Sequence, residues 1–196
     1  MAVAVSHASN LLATTCKAST PQHAVVRLYD TTTWKSLEQT LGGHSLTVTR
    51  LAFSRDDCFL VSVGRDRSWR LFERLVDAQG ADVAVLRSAL APEADDRLSP
   101  GCSGYRPLAA SVKPHARIIW DVAFSPLFPS ASGADDMVFA TGSRDKSAKV
   151  WRRPSSEDPT VWEPVATLKF DEGVTSVDFY SGLDGARSVA FCCRPG

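Results

Sequence analysis

Three residues of this chain have types and spacing that could do chemistry: His44, Ser62 and Asp66 form a Ser–His–Asp set of the kind hydrolases use to activate a hydroxyl. Such a set needs an exposed nucleophile beside an oxyanion hole, often on a Gly-x-Ser-x-Gly elbow, and no such pentapeptide occurs in the 196 residues. A second set follows in the same order, His115, Thr141 and Asp145. An enzyme has little use for two copies at matched spacing, whereas a repeated structural unit must carry its internal polar contacts in every copy. The five cysteines, Cys16, Cys58, Cys102, Cys192 and Cys193, are odd in number and lack a Cys-x-x-Cys pair, so neither a disulfide framework nor a zinc site is supported. No catalytic, cofactor-binding or metal-binding residue is expected.

The repetition extends well beyond these side chains. GHSLTVTRLAFS, from Gly43 to Ser54, overlays PHARIIWDVAFS, from Pro114 to Ser125, with an offset of 71 that places His44 on His115 and Phe53 on Phe124. SVGRDRSWRLF, from Ser62 to Phe72, overlays TGSRDKSAKVW, from Thr141 to Trp151, with an offset of 79. Asp66 and Asp145 each stand six residues before the aromatic that closes the segment. The second copy therefore carries about eight extra residues, placed within Leu127 to Met137, where insertions are tolerated as a surface hairpin tip.

Within each unit, short β-branched and aromatic runs are bounded by turn residues: LTVTRLAF, FLVSVG and SWRLF in the first, RIIWDVAF, MVFATG and AKVW in the second. A fourth run precedes each histidine, Trp34 to Leu41 and Tyr105 to Val112, and no segment has a helical period. The expectation is an all-β chain of antiparallel four-stranded meanders. Fainter copies flank the clear ones. Asn10 to Thr15 and Val25 to Asp30 look like second and third strands of a unit lacking its innermost strand, and Gly173 to Cys193 looks like the first two strands of another. The expected units are residues 1–41 (partial), 44–112 with a long insertion at about 77–104, 115–169, and 170–196 (truncated).

These residues resemble WD repeats, whose pattern is a Gly-His pair, a strand ending near Phe-Ser, a small-residue strand, a turn aspartate and a tryptophan six residues later. Gly43, His44, Ser62 and Asp66 match in the first copy, and His115, Thr141, Asp145 and Trp151 in the second. Phe72 stands where the tryptophan is usual, Glu73 and Arg152 where a final aspartate is usual, and Pro114 replaces the glycine. The resemblance implies a partial β-propeller, two complete four-stranded blades between two incomplete ones. In it a buried indole N–H is satisfied by a Ser or Thr hydroxyl relayed through histidine to aspartate. Propellers close with about four to eight blades, so a chain of this content reads as part of a longer ring.

Lys and Arg total 22, as do Asp and Glu, and this balance removes the long-range basic field of a duplex binder. No apolar run is long enough to span a membrane, and the start has no basic leader, so the reading is a soluble chain without membrane contact, cytoplasmic and also compatible with the nucleus. The wording of the repeats, from His44 to Arg74 and from His115 to Arg152, is similar to the family of second subunits of the eukaryotic Elongator complex. That resemblance implies a noncatalytic propeller scaffold that assembles with other Elongator subunits into a machine modifying wobble uridines of tRNA. The machine's iron–sulfur and acetyl-CoA chemistry lies on another subunit, and any tRNA contact by this one is expected to be weak or indirect. The alternative is a WD-repeat adaptor that reads peptides outside that complex. Arg50, Arg65, Arg67, Arg117, Arg144 and Lys146 are the basic residues that one propeller rim could offer a partner, and Trp69 and Trp120 are expected to pack within strands.

Overall fold

The computed structural model describes residues 1–75, 104–126, 137–153, 158–181 and 187–194, and every regular element among them is a β-strand. β1 (Val3–Val5), β2 (Leu11–Thr15), β3 (Val26–Asp30) and β4 (Ser36–Leu41) form the first antiparallel sheet. β5 (Val48–Phe53), β6 (Phe59–Gly64), β7 (Trp69–Arg74) and β8 (Tyr105–Ser111) form the second. The third holds β9 (Ile119–Phe124), β10 (Val138–Ser143), β11 (Ser147–Arg152) and β12 (Glu163–Lys169). β13 (Gly173–Ser181) and β14 (Arg187–Arg194) pair as a two-stranded sheet. Strands follow chain order in each sheet, so every sheet is a meander built from hairpins.

One expectation is corrected. The first unit is not short of its innermost strand, because β1 pairs antiparallel with β2 through Val3–Thr14, Ala4–Ala13 and Val5–Leu12. Three residues from Val3 to Val5 are too few for an alternation to stand out in the sequence, and Val3 and Val5 remain mostly exposed there. The proposed insertion at about 77–104, the eight extra residues and Cys102 lie outside the described residues, apart from Gly104 at the insertion's end and Met137 at the end of the hairpin segment.

The sheets stack face to face because their strands are apolar on both sides. Along β6, Leu60 joins a cluster with Leu11, Leu28 and Leu41 of the first sheet, while Val61 and Val63 join Ile119 and Phe139 of the third. Trp69 and Leu71 of β7 face the third sheet, and Phe72 faces the first. Each fully buried side chain of this size stabilises the stack by about 1.5–3 kcal/mol relative to exposure. Trp69, fully buried, packs edge-on against Phe139 and Trp151 at centroid distances of 5.2 and 5.3 Å. A smaller cluster of Ala148, Val174 and Val177 joins the third sheet to β13.

The innermost strands carry the same irregularity three times. In β5 the ladder passes from Val48 to Arg50, in β9 from Ile119 to Asp121, and in β13 from Val174 to Ser176, which leaves Thr49, Trp120 and Thr175 as bulged residues. Thr49 donates its hydroxyl to the carbonyl of Ile119 at 2.6 Å and so links the second sheet to the third. Trp120 does not pack like Trp69: the bulge turns it outward, and it is 38% exposed.

Two buried carboxylates hold neighbouring sheets in register. Asp57, in the β5–β6 turn, accepts the backbone N–H groups of His7, Ala8 and Ser9 at 2.8, 2.7 and 3.0 Å and the Ser9 hydroxyl at 2.7 Å, all from the β1–β2 loop. Burial alone would raise the pKa of this carboxyl, but the donors from His7, Ala8 and Ser9 outweigh it and hold it below the ordinary value. Asp121 on β9 accepts the Ser176 hydroxyl at 2.8 Å and the Val177 N–H at 2.9 Å from β13. Its other oxygen lies 3.0 Å from Nε of Arg50 on β5, so one residue touches three sheets. Replacing Asp57 with alanine would leave four donors without their acceptor, the two of Ser9 buried and those of His7 and Ala8 partly so, and is expected to cost about 3 kcal/mol. Chemical denaturation of the folded chain checks the magnitude, and hydrogen exchange should accelerate in β1–β4 more than in β9–β12.

Candidate polar cluster and basic rim

The third sheet carries a complete polar relay. Trp151, near the end of β11, donates its indole N–H to the Thr141 hydroxyl at 2.9 Å; that hydroxyl sits on β10, 2.9 Å from Nε2 of His115. Nδ1 of His115 lies 3.1 Å from Oδ2 of Asp145 in the β10–β11 turn. An indole only donates and a carboxylate only accepts, so the direction of the chain is determined: the threonine donates to Nε2 and the histidine's proton resides on Nδ1. His115, Thr141 and Trp151 are buried. Asp145 also accepts the N–H groups of Ala116 at 2.8 Å and Ser147 at 3.0 Å, which closes the loop over the histidine.

The second sheet repeats the relay without its last donor. Nε2 of His44 is 2.8 Å from the Ser62 hydroxyl, and Nδ1 is 2.9 Å from Oδ2 of Asp66, which accepts the Ser45 N–H at 2.9 Å. Phe72 occupies the position of Trp151, is buried against the first sheet, and brings no N–H to Ser62. Sequence reasoning missed one member of each cluster. Ser68 donates its hydroxyl to Asp66 at 2.7 Å and stands 3.2 Å from Nδ1 of His44; Ser147 makes the equivalent contacts with Asp145 and His115. Both follow the turn aspartate by two residues at the same offset of 79, so the alignment that paired the aspartates already contained them.

This arrangement is poor at the chemistry its residue types suggest. Ser62 is fully buried, and its hydroxyl is engaged with the histidine from inside the stack, where no substrate carbonyl can approach. Burial would raise the Asp66 carboxyl, but hydrogen bonding and charge from His44, with the Ser68 hydroxyl and Ser45 N–H, hold it well below the ordinary carboxylate range. Asp145 is lowered as well: burial opposes this, but the Ser147 hydroxyl, the Ala116 N–H and His115 together prevail. For His115 burial is the largest influence and pushes its pKa down, against the pull of Asp145, so the ring stays neutral as the relay requires. Among the described residues no three His, Cys, Asp or Glu side chains converge as a metal centre would need. No helix among them is long and apolar enough to cross a membrane.

The basic residues divide into two groups. Arg50 is not with the turn residues: it lies inside β5 beside Asp121, across the seam between two sheets. Arg65 and Arg144 are exposed at the β6–β7 and β10–β11 turns, and Arg117 is exposed in the β8–β9 loop on the same side, where the Arg144 N–H donates to the Ile118 carbonyl at 3.0 Å. Arg67 and Lys146 occupy equivalent left-handed positions, with φ of 67° and 64°. Each reaches toward the following sheet, Arg67 Nη1 to the Ala116 carbonyl at 3.4 Å and Lys146 Nζ to the Asp171 carbonyl at 2.6 Å.

Stacked four-stranded meanders with a His–Ser/Thr–Asp relay in two successive sheets define a WD-repeat chain, part of a β-propeller. The family model for the WD domain, G-beta repeat, matches residues 35–73 and 107–152. More particularly, the chain is similar to Elongator complex protein 2. It is 39% identical over 178 residues to that protein of Schizosaccharomyces pombe, 33% over 180 residues to that of Saccharomyces cerevisiae, and 35% over 189 residues to that of Mus musculus. These alignments cover 91%, 91% and 94% of this chain but 19%, 19% and 20% of the relatives, so the chain spans about one fifth of their length.

Replacing His115 with alanine leaves Thr141 and Asp145 with unmatched polar groups in the interior and is expected to cost about 2 kcal/mol, read as a lower denaturation midpoint. Stability should also depend on pH in two steps. The folded protein resists protonation of His115 below the ordinary histidine value of 6.5, so the unfolded chain binds more protons there and stability falls as pH drops below that value. A second fall begins as pH drops below 3.8, where the unfolded chain's equivalents of Asp57, Asp66 and Asp145 take up protons that the folded carboxylates resist. A series of denaturation curves between pH 8 and pH 3 would show both, and the His115→Ala variant should lose the upper step and keep a diminished lower one, because His115 is one of the groups that hold Asp145 down.

Proposed function

We propose that this chain is a segment of a noncatalytic WD-repeat scaffold subunit of the Elongator complex, which contributes surfaces on which other subunits of a tRNA-modifying assembly are held. The observation that carries the reading is its 33–39% identity to three proteins of that name over at least nine-tenths of the chain. The two His–Ser/Thr–Asp sets support a noncatalytic role, because their polar atoms are spent on one another and on loop amides. The partners in this reading are proteins, the other Elongator subunits; any tRNA contact is secondary, and residence is cytoplasmic with a nuclear share.

The exposed guanidinium groups of Arg65, Arg117 and Arg144 are the surface we assign to an acidic partner. Arginine suits this role because its planar fork pairs carboxylates or phosphates bidentately. Arg67 and Lys146 are assigned instead to linking successive blades. Affinity capture of the full-length protein should retrieve the catalytic subunit, and loss of the protein should abolish wobble-uridine modification. Failure to retrieve any other subunit would remove the reading. Reversing Arg65, Arg117 and Arg144 to glutamate is expected to weaken subunit association by about tenfold or more, with greater sensitivity at low salt and an unchanged melting temperature. Retention at the wild-type level would take the rim out of the interface.

A further inference from the structure

Trp34 sits in the β3–β4 turn, belongs to none of the core clusters, and has 70% of its surface exposed. Among the exposed large apolar residues described, only Met1 is barer. Its φ is +59°, in the left-handed region that glycine and asparagine occupy readily and a bulky aromatic does not. A residue that is mostly exposed and sits in a disfavoured backbone region contributes little to folding, and such strain collects at sites of function.

The turn is built to hold the backbone that carries that side chain in one place. The Asp30 carboxylate, on a buried residue, accepts the N–H groups of Thr32 at 2.6 Å and Thr33 at 3.2 Å. The Trp34 N–H donates to the Asp30 carbonyl at 2.7 Å, and the Asp30 N–H donates to the Lys35 carbonyl at 3.0 Å. A further bond from the Thr31 N–H to the Asn10 carbonyl, at 2.8 Å, ties the turn to the start of β2. The loop is thus ordered before any partner arrives, and an indole with two rotatable bonds loses little freedom on docking.

We propose that this turn is a docking element, and that Trp34 seats in an apolar socket edged by carboxylates on another protein subunit. Two observations select that occupant. Blades of the same chain meet through sheet faces, as the three core clusters show, and Trp34, in the turn between β3 and β4, belongs to none of those clusters. The turn also displays exposed Lys35 beside the indole while its own carboxylate, Asp30, points inward, so the complementary surface is apolar with an acidic lip. Tryptophan is the residue most often found as the energetic anchor of such contacts. The identity of the subunit rests on the scaffold reading above; the docking element does not.

The test uses the full-length protein in its assembled complex. A benzophenone amino acid at position 34 is expected to cross-link to another subunit, at a peptide carrying Asp or Glu. Cross-links to RNA, or only within the same chain, would overturn the proposal. Trp34→Asn relieves the left-handed strain, so its melting temperature should equal or exceed that of the wild type, while affinity for the cross-linked subunit falls about tenfold. A lowered melting temperature with unchanged affinity would mark Trp34 as structural and overturn the proposal. Should the wild type retrieve no subunit at all, the scaffold reading falls with it; should wild type and variant retrieve them equally, the docking element alone falls.

Discussion

A sheet that is apolar on both faces cannot leave either one in water, and everything else in this chain follows from that constraint. Leu60 and Val61 are neighbours in sequence yet belong to different cores, because alternate side chains of a strand point to opposite faces. Each blade is therefore stabilised by the blades on either side rather than by an interior of its own. Cohesion of this kind is nearly indifferent to angle: flat apolar faces slide and rotate against one another at little energetic expense. Something directional must set the geometry, and buried polar groups supply it.

Those groups act at two places. Within a blade, the relay from His115 through Thr141 to Trp151 fastens the loop before β9 to the strands that follow, and the equivalent set in the second sheet does so with one donor fewer. The loss of the indole at Phe72 is tolerable because a hydroxyl that donates to histidine can leave its own lone pair weakly used, whereas a buried indole N–H without an acceptor is a larger penalty. Between blades, Asp57 gathers amides of the preceding blade and Asp121 spans three sheets. Carboxylates suit this role because two oxygens can accept several N–H groups converging from one loop, and the resulting geometry admits only one rotation of blade on blade.

Much of this was legible beforehand. The two offsets located the histidines, hydroxyls and aspartates of both clusters, since a local hairpin brings residues of fixed spacing together wherever it recurs. The meander of strands was equally plain from β-branched runs between turns. What escaped notice had a physical cause in each case. β1 is three residues long and offers no periodicity. Ser68 and Ser147 look like ordinary turn residues until the hydroxyl is seen to reach both partners. Asp57 carries no signal in the sequence that sets it apart from other turn aspartates, and its burial depends on a loop some 50 positions earlier. Arg50 was grouped with rim cations because charge says nothing of partner, and its partner lies across a blade boundary.

The amino-acid sequence by itself determined the repeat, the all-β class and the histidine, hydroxyl and aspartate that form the spine of each polar cluster, because these depend on contacts inside a hairpin or between adjacent strands, whose spacing is short and recurrent. Only the tertiary structure decided which carboxylates face inward, which tryptophan is packed and which displayed, and which cations are already committed to a neighbouring loop. Trp69 and Trp120 are both strand tryptophans, yet the first lies at the meeting of two sheets and the second on a bulge. That difference arises when one sheet is laid against the next, and no local pattern of residues encodes the direction from which the next sheet will come.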